Sequence, residues 1–245
     1  MTPRLALLAG SIAAVLGLAA CSHMSGKPAP GPEVPIPDSV VDPVVLYHEN
    51  CAGCHGAEGQ KGPAMALADP VYLAIVDDET LRTTISKGRP GTAMSAFAQK
   101  DGGMLTDQQV NAIIHGIRER WDKRDALVGV AAPQYAAKEA GNAQQGERVY
   151  ARFCSSCHGN DDRGGPKAGS VTNPSYLSLI SDQGLRTIVI TGRPDFGAPD
   201  WRENVPGQPM TDQQISDVVA WLAAQRPKQL AQAPASIPSS RGGTQ

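Results

Sequence analysis

The sequence carries one five-residue pattern twice, Cys51-Ala52-Gly53-Cys54-His55 and Cys154-Ser155-Ser156-Cys157-His158. In each copy, two thiols separated by two residues can add to the two vinyl groups of one porphyrin, and the imidazole that follows can reach the iron. Two other chemistries share the C-x-x-C spacing. A redox dithiol sits in a βαβ surround, which this sequence lacks, and a joint four-cysteine zinc site would leave a histidine unexplained beside each pair. The pattern therefore predicts one covalent haem c per copy. Cys51, Cys54, Cys154 and Cys157 are the expected attachment points, and His55 and His158 the expected iron ligands.

The flanks repeat as well. Tyr47 and Tyr150, Gly56 and Gly159, and Gly62-Pro63 and Gly165-Pro166 share an offset of 103 residues. Leu81-Arg82-Thr83 and Gly88-Arg89-Pro90 recur as Leu185-Arg186-Thr187 and Gly192-Arg193-Pro194 at offset 104, and Thr106-Asp107-Gln108-Gln109 recurs at Thr211 at offset 105. Two one-residue insertions account for the drift, and the chain reads as tandem domains at 42–122 and 141–226 joined by a linker at 123–140. Each domain is near the lower size for a self-supporting core. With only three Trp, five Tyr and three Phe in 245 residues, a porphyrin is expected to supply missing core mass.

Helix signals recur in register. Asp42-Pro43 supplies an N-cap and a first-turn proline, and Asp77 or Asp78 can cap a helix that stops at Gly88, as its counterpart stops at Gly192. Thr106 with Gln109 and Thr211 with Gln214 form capping boxes. The helices they open present Val110, Ile113, Ile114, Ile117 and Ile215, Val218, Val219, Leu222 at i, i+3, i+4, i+7. No strand pattern competes, so an all-α fold is expected.

Residues 1–20 read as a secretory signal, and Leu18-Ala19-Ala20-Cys21 resembles the bacterial lipobox, which makes Cys21 the expected lipidation site and uses the fifth cysteine. Residues 21–41 read as a solvated tether and 227–245 as a disordered tail. The expected place is the bacterial cell envelope, held at a membrane through the lipid anchor and facing the periplasm or the cell surface. A formal charge of −2 with no basic run argues against nucleic acid as a partner.

Helix, C-x-x-C-H, Gly-Pro loop, middle helix, Met-bearing loop and closing amphipathic helix together resemble the class I c-type cytochrome domain, here in tandem over residues 42–226. The resemblance implies an all-α fold around each haem and single-electron transfer rather than catalysis. Expected partners are redox proteins such as a terminal oxidase, a quinol-oxidising complex or a soluble cytochrome. It also implies a distal methionine from the loop before the last helix. In the first domain that is Met94, with Met65 and Met104 as rivals; Met104 is expected to pack on the last helix.

The second domain breaks the pattern. With Trp201 set opposite Phe97, Ala198 falls opposite Met94. Met210, the remaining methionine there, aligns with Leu105 at a helix start and is expected to pack there, with iron ligation as its other reading. The second iron then has three options: Met210 after a loop rearrangement, an outside ligand such as His48, His115 or a partner, or an open site able to bind CO, NO or peroxide. The open option supports a different class of function, a haem enzyme or gas sensor, for which Asp195, Asp200 and Arg202 are the nearest acid–base candidates. Arg89 and Arg193 are each either haem-propionate partners or solvent-exposed. Phe97, Trp201 and Trp221 are expected to line the core or a haem edge.

Overall fold

The computed structural model describes residues 31, 34–123, 125–161 and 163–227. The expected export signal, Cys21, most of the tether and all of the tail after residue 227 lie outside them. Met1–Ser39 and Val40–Gln245 are separate units. In the first, the described residues hold a single 3-10 turn, Pro37–Ser39. Both C-x-x-C-H motifs lie in the second.

The first half of that second unit contains α1 (Pro43–Asn50), α2 (Ala52–His55), α3 (Pro70–Ile75), α4 (Asp78–Lys87) and α5 (Asp107–Trp121). The second repeats the series as α6 (Ala143–Phe153), α7 (Ser155–His158), α8 (Pro174–Leu179), α9 (Asp182–Thr191) and α10 (Asp212–Ala224). Extended backbone pairs only at two isolated bridges, Ala98 with Leu105 and Arg193 with Ala198, among the described residues. No described helix is long and apolar enough to cross a membrane.

The caps follow the sequence closely. Asp42 accepts from Val44 N and Val45 N at 2.8 and 3.2 Å, Asp77 rather than Asp78 caps α4 through Thr80 N at 2.7 Å, and both capping boxes close. The eight apolar residues expected on α5 and α10 are all buried. The short helices α3 and α8 add to that expectation. Each starts at an Asx-Pro step, Asp69-Pro70 and Asn173-Pro174, whose side-chain oxygen caps the first turn.

The carbonyls left free by the backbone at the ends of α3 and α8 are closed by arginines from different registers. Arg118 of α5 donates to Leu73 O, Val76 O and Asp78; Arg226, beyond the end of α10, donates to the matching Leu177 O, Ile180 O and Asp182. The same cluster of acceptors is satisfied from two unrelated positions.

The crossing of first and last helices shows a similar exchange. In the first half, a Cβ on Gly116 of α5 would lie 2.5 Å from Pro43 Cβ of α1. In the second, the repeat puts Trp221 where Gly116 stands and Gly146 where Pro43 stands. A Cβ on Gly146 would lie 2.7 Å from Trp221 Cβ and 2.0 Å from Asp217 O. The close approach is kept, and the bare backbone has changed sides.

Two apolar clusters result. One joins Leu46, Tyr47, Leu73, Leu81 and the α5 face; the other joins Val149, Tyr150, Leu185, Trp201, Met210 and the α10 face, and also takes in Val71 of α3 from the first half. The linker is more than a connector. Gln134 O and Tyr135 O accept from Arg186, whose side chain is 3% exposed and also binds Asp212 and Ser216. The corresponding Arg82 is 40% exposed and pairs with Glu79.

Candidate haem sites

Each C-x-x-C-H motif sits on a one-turn helix at the end of a longer one. α1 ends where Cys51 N donates to Tyr47 O at 2.8 Å, and α6 ends where Cys154 N donates to Tyr150 O at 2.9 Å. After each histidine the chain reverses at a glycine with φ of +84° at Gly56 and +74° at Gly159, a region that favours glycine. The reversal is pinned from behind: Tyr47 Oη donates to Gly56 O at 2.8 Å and Tyr150 Oη to Gly159 O at 2.7 Å.

The histidines are oriented alike. Nδ1 of His55 lies 2.8 Å from Met65 O, and Nδ1 of His158 lies 2.7 Å from Gly169 O. A carbonyl can only accept, so each Nδ1 carries the proton and each Nε2 keeps a free lone pair, the arrangement an iron ligand requires. His55 is buried, and that burial, with the nearby Arg193 charge, holds its basicity below the ordinary histidine range against the opposing effect of the hydrogen bond it donates to Met65 O. The neutral, ligating form is therefore favoured.

The thiols do not have the character of a redox dithiol. Burial, with a smaller contribution from the second cysteine of each motif, pushes Cys51 and Cys154 up to about 12. A dithiol oxidoreductase instead needs a lowered thiol. None of the four is in a disulfide. Two thiols and an aligned imidazole on one turn fit a covalent haem at both motifs.

The loops before α5 and α10 can be matched by their hydrogen bonds alone. Arg89 N donates to Met94 O at 2.8 Å and Arg193 N to Ala198 O at 3.0 Å; Leu105 N donates to Phe97 O at 2.7 Å and Met210 N to Trp201 O at 2.9 Å. Met94 thus corresponds to Ala198, Phe97 to Trp201 and Leu105 to Met210. Met94 is half-buried. Met210 is 3% exposed inside the second apolar cluster, its sulfur 3.9 Å from Asn204 Nδ2.

Several expected placements change. Met104 is 76% exposed instead of packing on α5, because Leu105 fills that position. Met65 packs at the first cluster beside the carbonyl that orients His55. His48 and His115 keep the exposed or structural placement expected of them: both are exposed, and His115 pairs with Glu119. Arg193 is neither solvent-exposed nor free for a propionate: its guanidinium holds Asp195 and Gly62 O. Arg89 binds the Tyr135 hydroxyl. Asp200 and Arg202 pair with each other, which ties up the nearest acid–base candidates. Trp201 is fully buried, while Phe97 and Trp221 are half-buried against the clusters, Trp221 at 4.5 Å from the Tyr150 ring.

A family model described as cytochrome c oxidase, cbb3-type, subunit III, matches residues 39–115 and 141–222. The chain belongs to that family. Each matched segment of this subunit III-type chain holds one C-x-x-C-H motif, so it is an all-helical di-haem cytochrome c with two covalent haem c groups, and electron transport is its class of activity.

Among individual relatives, the chain is 34% identical over 134 residues to the cbb3-type cytochrome c oxidase subunit CcoP of Azospirillum sp. (strain B510), covering 50% of this chain and 40% of that one. It is 30% identical over 136 residues to CcoP of Azospirillum brasilense, with the same coverage. It is 27% identical over 158 residues to subunit FixP of Bradyrhizobium sp. (strain ORS 278), covering 60% and 50%. The chain spans half or less of the length of these relatives.

What sequence reasoning missed lies between the halves of this subunit III-type chain. Tyr135 is not singled out by the sequence at all, while Arg186, Arg193 and Asp195 stand out for the repeat or for other roles and not for the contacts they make across the linker or between domains. No local pattern marks those contacts.

Proposed function

We propose that the chain passes single electrons through its two haems as the electron-delivering part of a cbb3-type oxidase. The observation that carries this reading is the duplicated turn in which a histidine, oriented through Nδ1 by a loop carbonyl, follows two thiols. Bound haem c supplies reversible one-electron chemistry. Cys51, Cys54, Cys154 and Cys157 would fix the porphyrins, and His55 and His158 would present Nε2 to the irons. Met65 O and Gly169 O hold those rings in place. Met94 would supply the second protein ligand of the first iron, while Met210 packs the start of α10 and is not placed as a ligand. Lipidation at Cys21 would keep residues 42–122 and 141–226 at a periplasmic membrane surface, with 21–41 as tether and 123–140 as linker. The partners would be the oxidase's other subunits and the redox proteins that feed them.

The test is spectropotentiometry of the purified chain, followed by electron delivery to a cbb3-type oxidase lacking its own subunit III. Two haems per chain and restored oxygen consumption are expected. Covalent haem without restored consumption would sink the oxidase assignment.

A second reading is favoured by one observation, Ala198 in the backbone register of Met94. The second iron would then be open to small ligands, which makes gas binding its competing function. CO addition to the reduced chain separates the two, because a closed pair of irons leaves the spectrum unchanged.

A further inference from the structure

The loop that carries Ala198 reaches the other half of the molecule. Its 3-10 turn, Pro194–Phe196, places Asp195 so that Lys61 N donates to its Oδ2 at 2.8 Å. Arg193 holds both oxygens of that carboxylate, Nε to Oδ1 at 2.9 Å and Nη2 to Oδ2 at 2.8 Å, and Nη2 also donates to Gly62 O at 2.9 Å. The pair is enclosed, with the side chains 15% and 2% exposed. Lys61 has φ of +63°, the one non-glycine residue with positive φ among those described. Such a conformation persists where surrounding contacts over-determine it.

What this clasp grips is the segment that orients His55. Three residues beyond Lys61, Ala64 N donates to Cys54 O at 2.9 Å, and the next residue, Met65, supplies the carbonyl for His55 Nδ1. The loop that orients His158 is held within its own half, through Gly165 N to Ala168 O at 2.9 Å and Ser170 Oγ to Asp161 O at 3.0 Å. The two halves are thus asymmetric: the second braces the first.

We propose that Arg193 and Asp195 are positioning residues for the first haem, and that the second domain's distal loop, lacking the methionine, braces the proximal loop of the neighbouring domain. Outer contacts of this kind fix ring orientation and tune the metal. The inference rests on the two-haem relay reading above.

The experiment uses the full chain with both haems attached and the variants Arg193→Gln and Asp195→Asn. Hydrogen exchange follows the Lys61 amide, and a redox titration follows both midpoints, each assigned through the ring signals of its own histidine. Loss of a charge-assisted bond is expected to lower Lys61 protection by about tenfold in either variant. The midpoint of the His55 haem is expected to move in the same direction in both. Unchanged protection overturns the proposal. So does lowered protection with the His55 midpoint unmoved, since the clasp would then be only structural. Midpoint shifts of opposite sign also overturn it, because removing a positive and a negative charge would then be acting directly on the iron through space. A wild-type chain without covalent haem at both motifs overturns the relay reading instead.

Discussion

Arg89 Nη2 donates to the Tyr135 hydroxyl at 2.5 Å, while Tyr135 O accepts from Gln183 and Arg186 of the second half. One linker residue therefore ties the first distal loop, the one holding Met94, to helix α9. Tyr135→Phe keeps the ring that packs against the first apolar cluster and removes only the hydroxyl. A bond to a charged donor contributes about 1.5–3 kcal/mol when desolvated, and this half-buried one is expected to fall at or below the lower figure. Thermal unfolding should show the loss in the first domain, and faster exchange of the Arg89 amide should accompany it.

Ala198→Met restores a thioether at the position matched to Met94. A thioether axial ligand raises the haem potential and closes the iron. The variant is expected to raise the second midpoint and, if the second iron is the open one of the competing reading, to reduce a CO binding that would involve about half of the haem in the unmodified protein. Spectra recorded during CO titration of the reduced protein check both. No CO binding to either form would remove the open-iron reading.

Arg118→Met strips two carbonyls at the end of α3 and the Asp78 carboxylate of their donor in a side chain only 19% exposed. A cost of about 2 kcal/mol is expected from hydrogen bonds to a charged group, reduced by the solvent that reaches the Asp78 end. Arg226→Met, at 30% exposure, should cost less. Denaturant unfolding of the two variants compares them directly.

Arg193 donating to Asp195, with the Lys61 amide adding to it, holds the Asp195 carboxyl below the usual carboxylate range despite the opposing effect of burial. A folded-state value lowered in this way contributes stability that is complete above the unfolded value of about 3.9 and is lost as pH falls through the lower folded value. The stability difference between the wild type and Asp195→Asn is therefore expected to be constant above pH ~4 and to shrink as acid protonates the folded carboxyl. Acid unfolding curves of the pair measure it. A difference that persists to the lowest pH would assign the effect to shape rather than charge.

The parts of this molecule that sequence revealed are those fixed within a few residues. Asp42-Pro43, the two capping boxes and the apolar stripes of α5 and α10 each satisfy their own backbone and bury their own face. α3 and α8 carried the same kind of signal at Asp69-Pro70 and Asn173-Pro174, yet six residues are too few to show a helical period. Met104 and Leu105 are adjacent and both apolar, so only the bond from Leu105 N to Phe97 O decides which one faces inward. Arg82 and Arg186 occupy matching repeat positions but differ in burial because the linker covers one of them. Arg193 was visible as a residue of interest, and its partner in the other half was not, since Gly62 lies more than a hundred residues away in the chain.

The exchange between Pro43–Gly116 and Gly146–Trp221 has a consequence for assembly. A newly made chain holds two opening helices and two closing helices of similar pattern, and tandem repeats are prone to pairing across their halves. Here the mismatched couples are both poor. Pro43 against Trp221 would set bulk on bulk, and Gly146 against Gly116 would leave a hollow where neither helix fills the crossing. Each opening helix carries a key cut for one lock, so the two halves can grow more alike elsewhere without losing track of which ends belong together.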